Sequence, residues 1–239
     1  MTPKSKNTKS AKQPKELESL NKKIIACRLC PRLVKWREQV SHEKVARFID
    51  HEYWGKPAPG FGDPEAELLL VGLAPAAHGT NRTGRMFTGD RSGDWLYRAL
   101  HKAGFASQPH SVSRDDGMML ENCYITASLR CAPPLNKPLP AELKHCRPFL
   151  LKELELLSRV RVIVGLGKIG CDTALDAFRE AGLTTISRRM KFGHGVEVQL
   201  NDRQILIGSF HPSQQNTFTG KLTEPMFDAI FSRANNLLG

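Results

Sequence analysis

Short apolar runs alternate with amphipathic stretches along most of the chain. After runs of strand length, hydrophobic residues recur at helical spacing, as Trp95, Leu96, Ala99 and Leu100 do. The predicted strands are 68–73, 123–129, 160–166, 196–200 and 204–209. The predicted helices are 17–39 with a break at Pro31, 92–104, 141–157, 168–181 and a last one from about Thr223. This alternation predicts an α/β fold, a three-layer α/β/α sandwich with a mainly parallel central sheet.

One domain is expected behind a short basic arm. Residues 16–239 are long enough to bury a single core, and residues 1–15 precede them as the arm. The arm has five lysines, no acidic residue and no periodicity, so the sequence predicts that it is disordered. No apolar run approaches the roughly 20 residues that cross a bilayer, and no signal peptide is recognisable. We therefore expect a soluble, cytoplasmic protein.

A strong positive charge narrows the class of partner. The formal net charge is +11, and the arm supplies only part of this excess. A basic surface on the folded part fits a polyanion, most simply nucleic acid, and the arm would add salt-sensitive attraction that is independent of sequence. The alternatives are a charge that serves solubility alone and an arm without a function.

The first strand opens into a long polar loop, residues 74–91, before the next helix begins. This loop carries His78, Asp90 and three arginines, a composition typical of a ligand site at the carboxyl end of a strand. Asp90 also stands directly before a predicted helix, so a purely structural role as its N-cap is the alternative.

Two further polar loops, 130–140 and 211–221, follow other predicted strands. Because parallel strands end at the same edge of a sheet, we expect Asn136 and His211 to approach the 74–91 loop. That edge is the predicted functional site.

The six cysteines fall into two groups. Cys123 lies in an apolar strand and Cys171 in an amphipathic helix, so both are predicted core residues. The four in polar surroundings are Cys27, Cys30, Cys131 and Cys146. Four thiolates suit zinc or an iron–sulfur cluster, and the C-x2-C pair brings two of them to one centre. The residues alone leave the metal open, and four separate structural cysteines remain the alternative.

Several segments together resemble the family 5, or type B, uracil-DNA glycosylases, the iron–sulfur members of the uracil-DNA glycosylase superfamily. The segments occur in the expected order and cover most of residues 25–230. They are CRLCPRLVKWRE at 27–38, PGFGDPEAELLLVGLAPAAHGTNRTGRMFTGDRSG at 59–93, RCAPPLNKP at 130–138, FGHG at 192–195 and HPSQQNTFTGKLT at 211–223.

The resemblance implies a DNA repair enzyme that hydrolyses the N-glycosidic bond of uracil in double-stranded DNA and leaves an abasic site. It also implies a 4Fe–4S cluster with a structural role, held by Cys27, Cys30, Cys131 and Cys146. We expect a monofunctional enzyme, because no lysine is placed for Schiff-base lyase chemistry. We also expect a nucleoid-associated monomer without a nucleotide cofactor.

The resemblance also assigns the catalytic roles. Related enzymes carry a carboxylate or amide just after the first strand, whereas this chain has only Ala, Pro, Ala and Ala at positions 74–77. Asp90, helped by Asn136, is therefore expected to activate water, and His211 to donate a hydrogen bond towards the departing base.

Base and DNA contacts follow from the same resemblance. Phe87 is expected to stack on a base flipped out of the helix. Ala127 stands where the sister iron–sulfur family has an asparagine that reads uracil, so we expect hypoxanthine and xanthine to be accepted as well. The predicted base pocket is Ala76, His78, Phe87 and Ala127. The predicted DNA contacts are Arg82, Arg85, Ser213, Gln215 and Asn216.

Two other classes of protein remain open. One is a non-catalytic iron–sulfur protein that binds nucleic acid, and the other is a zinc-dependent nucleotide hydrolase. A nicotinamide cofactor is not expected. The Gly165-x-Gly167-x-x-Gly170 sequence mimics a dinucleotide fingerprint but lacks the acidic residue and the second βαβ half that such sites need.

Overall fold

A computed structural model of the chain describes the backbone of residues 8–239 and the side chains of residues 14–239. The helices are α1 (Thr8–Ile25), α2 (Pro31–Glu43), α3 (Thr80–Thr83), α4 (Arg91–Lys102), α5 (Pro140–Leu156), α6 (Gly167–Glu180), α7 (Gln214–Phe218) and α8 (Glu224–Leu238). The strands are β1 (Phe61–Gly62), β2 (Leu68–Gly72), β3 (Cys123–Ala127), β4 (Val162–Leu166), β5 (Glu197–Gln199) and β6 (Ile205–Ser209). Short 3-10 turns occur at Ala46–Phe48 and Pro134–Asn136. None of the helices in this part of the chain has the length and apolar content needed to cross a membrane.

Strands of this part of the chain form one mixed sheet in the order β1-β3-β2-β4-β6-β5. The inner strands β3, β2, β4 and β6 run parallel, and the outer strands β1 and β5 pair antiparallel with their neighbours. Val71, for example, lies between Thr126 on one side and Gly165 on the other. The predicted mainly parallel sheet is confirmed, and the inner strands end along one edge.

Helices cover both faces of the sheet, as expected for strands that are apolar throughout. Side chains alternate along β2, so that Leu68 and Leu70 pack with α4 and α8, while Leu69 and Val71 pack with α1, α5 and α6. All four of these side chains are buried. Cys123 and Cys171 lie in the two cores, as predicted. The three-layer α/β/α class is therefore confirmed.

The first helix begins within the segment predicted as a basic arm. Helix α1 starts at Thr8, residues 1–7 lie outside the described residues, and disorder of the arm stays a prediction. Leu17, Leu20 and Ile24 are buried at helical spacing and anchor this helix against the core. Once such a helix is nucleated, adding residues at its end costs little, which explains its extension into polar sequence.

Strand β1 was not predicted, because two residues are too few to show a pattern. Gly62 has a φ of +139° and lies directly over β3, where a β-carbon would come within 2.2 Å of the Cys123 carbonyl oxygen. Glycine is therefore required for this close approach of backbones.

The Gly165-x-Gly167-x-x-Gly170 sequence serves packing. A β-carbon at Gly170 would lie 2.4 Å from the Val71 carbonyl oxygen, and one at Gly165 would meet the backbone of Cys171. Small residues here let α6 lie close against the sheet.

A buried ion pair connects the end of β3 to α5. Arg130 and Glu153 are 1% and 0% exposed, and the guanidinium donates a hydrogen bond to the carboxylate. Thr126 donates a second hydrogen bond to the same Glu153 oxygen at 2.6 Å. Charges this deeply buried stabilise a structure only while both members are present.

We therefore expect Glu153→Leu to lower the free energy of unfolding by about 3–5 kcal/mol, because it leaves the Arg130 charge buried without its partner. Chemical denaturation followed by circular dichroism measures the loss. The double variant Arg130→Met/Glu153→Leu should recover much of the stability, and equal losses in the single and double variants would contradict this interpretation.

Candidate active site

Asp90 occupies the N-cap position of helix α4, at the end of the polar loop that follows β2. Its Oδ1 accepts a hydrogen bond from the Gly93 backbone N–H at 3.0 Å. The structural role proposed as an alternative is therefore present. The cap also fixes the direction of the carboxylate, because the helix N-terminus offers its N–H donors at one place only.

The surroundings of Asp90 favour a reactive carboxylate. Burial raises the pKa of Asp90, while hydrogen bonds from the Gly93 and Ser92 backbone act in the opposite direction. The pKa of Asp90 is raised overall, so its carboxylate is a stronger base than that of an exposed aspartate.

A glycine on the same loop makes room for this carboxylate. A β-carbon at Gly79 would come within 1.9 Å of Asp90 Oδ2 and 2.7 Å of its Cγ. The carboxylate is thus packed directly against the backbone of Gly79, the N-cap of α3. Any larger residue at position 79 must displace it.

Phe87 and His211 come together across the sheet edge, as the sequence predicts for loops that follow parallel strands. Their ring centroids are 5.8 Å apart with an interplanar angle of 32°. Phe87 has a φ of +54°, and its ring lies over Gly72 at the end of β2. A bulky residue with positive φ is rare, which marks this loop as strained at a candidate functional position.

His211 follows strand β6 and is neutral at physiological pH. Burial lowers the pKa of its imidazole to about 4. The hydrogen bonds described for residues 14–239 do not include its ring nitrogens, so a neutral imidazole remains available to a ligand. Gly167, with a φ of +79°, lies beside the His211 β-carbon, and a side chain there would press on it.

His194 supports this loop, a role that the sequence analysis did not assign. Its Nδ1 accepts from the Phe210 backbone N–H at 3.1 Å, and its Nε2 lies 3.1 Å from the Met226 carbonyl oxygen. With Nδ1 as acceptor, Nε2 must be the donor, which sets one tautomer. The FGHG segment therefore holds the residue before His211 in place.

A cleft of about 580 Å³ opens beside Asp90, and its walls are basic and aromatic. Arg91 lies 4.3 Å over the ring of Phe218, and Arg47 lies 4.3 Å over the ring of Phe48. Both arginines line the cleft with Asp90. Neither was among the predicted DNA contacts, although Arg91 was visible in the sequence as part of the polar loop.

The two arginines that were predicted to bind DNA face inward. Arg85 is 5% exposed, pairs with Asp116 at 2.6 Å and also donates to Ser111, Thr88 and the Arg114 carbonyl oxygen. All its nitrogens have partners within the protein, so Arg85 offers no free donor in this conformation, and its contact with DNA stays a prediction.

Arg82 is a borderline case, since it lines the cleft but is only 7% exposed. It donates to the backbone carbonyl oxygens of His78 and Gly89, and its guanidinium lies 3.9 Å over the ring of Phe48. These contacts hold the loop in place, and they leave at most one edge of the Arg82 guanidinium facing a ligand in the cleft.

Ser213 and Asn216 shape the turn after His211. Ser213 caps helix α7 by accepting from the Asn216 backbone N–H, and the Asn216 amide donates to the His211 carbonyl oxygen at 2.8 Å. Gln215 is exposed on the same short helix. Only Gln215 of these predicted DNA contacts presents a free side chain to solvent.

Asn136 lies at the tip of the loop after β3, exposed to solvent. Its φ of +55° follows a φ of +54° at Leu135, two consecutive residues in the left-handed region. Leu135 is 83% exposed. No hydrogen bond described for residues 14–239 joins the Asn136 side chain to Asp90 or His211, so the structure leaves its catalytic role a prediction.

The other predicted pocket residues are distributed differently. His78 is half-buried, with its Nδ1 3.1 Å from the Tyr53 hydroxyl, and burial together with the charges of Arg47 and Arg82 lowers its pKa. Ala76 is half-buried on the same loop. Ala127 is 2% exposed at the end of β3 and offers no polar atom.

Three of the four polar cysteines pack together, and Cys27 is close enough to influence them electrostatically. Cys30 is the N-cap of α2, Cys131 follows β3, Cys146 lies in α5, and these three pack in one small buried cluster. Burial raises the pKa of Cys30 to about 11 and that of Cys131 to about 12, and charges on Cys27 and Cys146 add to both shifts.

Among the described residues no three His, Cys, Asp or Glu side chains are grouped closely enough to hold one metal ion. Thiols are nevertheless the donor type that binds zinc or an iron–sulfur cluster. The buried Arg37 guanidinium donates to Cys131 Sγ at 2.9 Å, which suits a thiolate that carries negative charge.

Comparison with known proteins gives a consistent result. Residues 59–235 match the family model described as Uracil DNA glycosylase superfamily. The chain is 52% identical over 221 residues to the Type-5 uracil-DNA glycosylase of Mycobacterium tuberculosis, covering 92% of this chain and 81% of that one. It is 50% identical over 222 residues to the Type-5 uracil-DNA glycosylase of Thermus thermophilus, covering 93% and 98%.

A more distant similarity supports the same placement. The Type-4 uracil-DNA glycosylase of Archaeoglobus fulgidus is 28% identical over 199 residues, covering 82% of this chain and 81% of that one.

The lowered pKa of the half-buried His211 imidazole predicts a pH-dependent stability. Its folded pKa of about 4 is below the unfolded value, so the unfolded chain binds the proton first and stability is lost as the pH falls from about 6.5 towards 4. Denaturation at a series of pH values should show a wild-type loss, on the order of 3 kcal/mol, that His211→Gln lacks. Identical pH profiles of the two proteins would contradict the burial of a neutral His211.

Proposed function

The chain belongs to the uracil DNA glycosylase superfamily and, within it, to the type-5 enzymes, and from this membership we propose that it hydrolyses the N-glycosidic bond of uracil in DNA. The products are free uracil and an abasic site. The observation that carries the proposal is the position of Asp90, a carboxylate with a raised pKa that lines a basic cleft.

Breaking the bond between the base and C1′ leaves positive charge on the sugar and negative charge on the base. Asp90 stabilises the sugar cation electrostatically and accepts a proton from the water that attacks C1′. Its cap bond to Gly93 and its contact with Gly79 hold the carboxylate in place before the reaction, so little reorganisation is needed.

The departing base is handled by the Phe87–His211 pair. The imidazole of His211 is neutral, and its one ring N–H donates a hydrogen bond to the developing anion on the base. The Phe87 ring, 5.8 Å from that of His211, offers a stacking surface to a base flipped into the pocket. Asn136 is proposed to assist Asp90 once DNA orders the loop that carries it.

Double-stranded DNA is the proposed substrate form, in keeping with an enzyme that works on the nucleoid as a monomer. Arg47 and Arg91 lie at the cleft rim, where they contact phosphates and anchor the strand that carries the flipped base. The net charge of +11 adds general attraction.

A 4Fe–4S cluster is proposed on Cys27, Cys30, Cys131 and Cys146, supported by the packing of the last three, by the electrostatic influence of Cys27 and by the Arg37 donor. When bound, the cluster supplies iron–thiolate bonds that cross-link the start of α2, the loop after β3 and α5.

Hypoxanthine and xanthine are proposed as further substrates. Ala127 ends β3 without a polar group, so no buried amide is left unpaired by a base other than uracil. The non-catalytic alternative is disfavoured because Asp90 lines the cleft.

Asp90→Asn tests the proposal with the least disturbance, since asparagine caps a helix as well as aspartate does. We expect uracil excision, measured by alkaline cleavage of abasic sites in a labelled duplex, to fall roughly 10²–10⁴-fold. The raised pKa means that ionised Asp90 destabilises the fold above that pKa, so the variant should melt at or above the wild-type temperature. The wild-type rate should fall on acidification at a higher pH than an ordinary aspartate would give.

DNA affinity is the control for this variant, and it should match or exceed that of the wild type, because one negative charge has been removed from the cleft. Retained excision by a folded Asp90→Asn protein would overturn the assignment. Activity absent from wild-type protein that contains iron would overturn the glycosylase function itself.

Leu135 provides a second test. An 83% exposed leucine beside Asn136 suits an apolar wedge that enters the base stack left open by flipping. Leu135→Ala should lower excision from duplex DNA roughly tenfold and leave excision from single strands nearly unchanged, because only the duplex requires unstacking. Leu139→Ala, at another exposed leucine of the same loop, is the matched control. Equal losses on both substrates would contradict the wedge.

The range of bases is tested with duplexes that differ only in the lesion. We expect measurable excision of hypoxanthine and xanthine, and Ala127→Asn should favour uracil over them, because an amide then discriminates between base edges. A profile restricted to uracil in the wild-type enzyme would contradict the proposed base range without affecting the glycosylase assignment.

A further inference from the structure

Arg37 of helix α2 is buried beside the cysteines in an unusual setting. It is 2% exposed, and its Nη1 donates to Cys131 Sγ at 2.9 Å. Nη1 and Nη2 also donate to the Cys27 carbonyl oxygen, both at 3.3 Å. Its described side-chain partners are therefore a thiol and a carbonyl oxygen, both belonging to proposed cluster ligands.

A buried guanidinium stays charged and needs a compensating anion nearby. Arg130 shows the usual solution, since this equally buried residue pairs with the carboxylate of Glu153. Arg37 has Cys131 in the corresponding place. The negative charge that balances Arg37 is thus expected to be that of the thiolate centre.

The backbone of Arg37 extends this contact towards the catalytic loop. Its carbonyl oxygen accepts a hydrogen bond at 3.2 Å from the amide of Asn81, a residue 1% exposed in helix α3. The backbone N–H of Asn81 donates to the Ala76 carbonyl oxygen at 3.0 Å. Gly79, the N-cap of α3, is the residue against which the Asp90 carboxylate packs.

We propose that Arg37 couples the four-cysteine centre to the position of Asp90, through its guanidinium on the cluster side and through Asn81 on the loop side. The proposal rests on the glycosylase function and the cluster proposed above. Arg37 and Asn81 are positioning residues in it, and neither touches the substrate.

The cluster side is tested by Arg37→Gln and Arg37→Lys in protein purified without oxygen. Removing the cation and its N–H···S bond destabilises the more negative, reduced cluster, so Arg37→Gln should shift the reduction potential to more negative values. Its visible absorbance should also bleach several-fold faster with a chemical oxidant. Arg37→Lys keeps the charge without the planar fork, and it should lie between Arg37→Gln and the wild type.

The loop side is tested by Asn81→Ala, which leaves the cysteines and the Arg37 side chain intact. We expect the wild-type reduction potential and bleaching rate, but a single-turnover excision rate that falls roughly tenfold at unchanged DNA affinity, because Asp90 is less well placed. Gln39→Ala, which removes a surface hydrogen bond to Glu43 from the same helix as Arg37, is the control and should match the wild type in all measurements.

The coupling would be overturned if both Arg37 variants had the reduction potential and bleaching rate of the wild type. It would also be overturned if Asn81→Ala excised uracil as fast as the wild type, or if the unmutated protein contained no iron. An Arg37→Gln protein that folds without iron while Arg37→Lys binds it supports the coupling. If Arg37→Gln does not fold, the Arg37→Lys potential decides. A wild-type enzyme that binds iron but excises no uracil refutes the glycosylase function, and the potentials still decide the contact between Arg37 and the cluster.

Discussion

Parallel pairing of the inner strands is the constraint on which the candidate site depends. Because β2 pairs in parallel with β4, and β4 in turn with β6, the loops after these strands leave the sheet at the same edge. The chain uses this edge for residues far apart in sequence, and the contact between Phe87 and His211 is the direct result. Without this shared strand register the two rings would not be in contact, so the arrangement of the site depends on the sheet topology.

Three residues at this edge are held in energetically unfavourable protonation or backbone states. The carboxylate of Asp90 has a raised pKa, the imidazole of His211 is kept neutral by burial, and Phe87 has a positive φ. Each costs stability, and the buried strands that flank β2 on both sides offset that cost. The same burial removes water from the groups and strengthens every electrostatic interaction they make with a bound nucleotide.

The sequence predicted the helices and strands well where hydrophobic periodicity was long, and poorly where two to five residues were set by contacts. Strand β1 and helix α3 are too short to show a hydrophobic pattern. The close approach of backbones at Gly62 determines β1, and hydrogen bonds with residues outside the helix determine α3. Polarity and resemblance both selected the same four cysteines, three of which pack together in the structure. The inward ion pair of Arg85 could not be predicted, because only the fold brings Asp116 to it. The support given by His194 was not assigned either, since its partners are backbone atoms.

The alanine-rich start of the polar loop explains why contacts that hold this loop in place matter. With no polar side chain between positions 74 and 77, the carboxylate stands far along the loop, and its position depends on how rigidly that loop is held. Trp54 and Gly55 donate backbone hydrogen bonds to the carbonyl oxygens of Arg82 and Asn81, and Arg37 accepts one from the Asn81 amide. A carboxylate distant from its strand thus depends on contacts from outside the sheet, and the helix that follows the first two cysteines supplies one of them through Arg37.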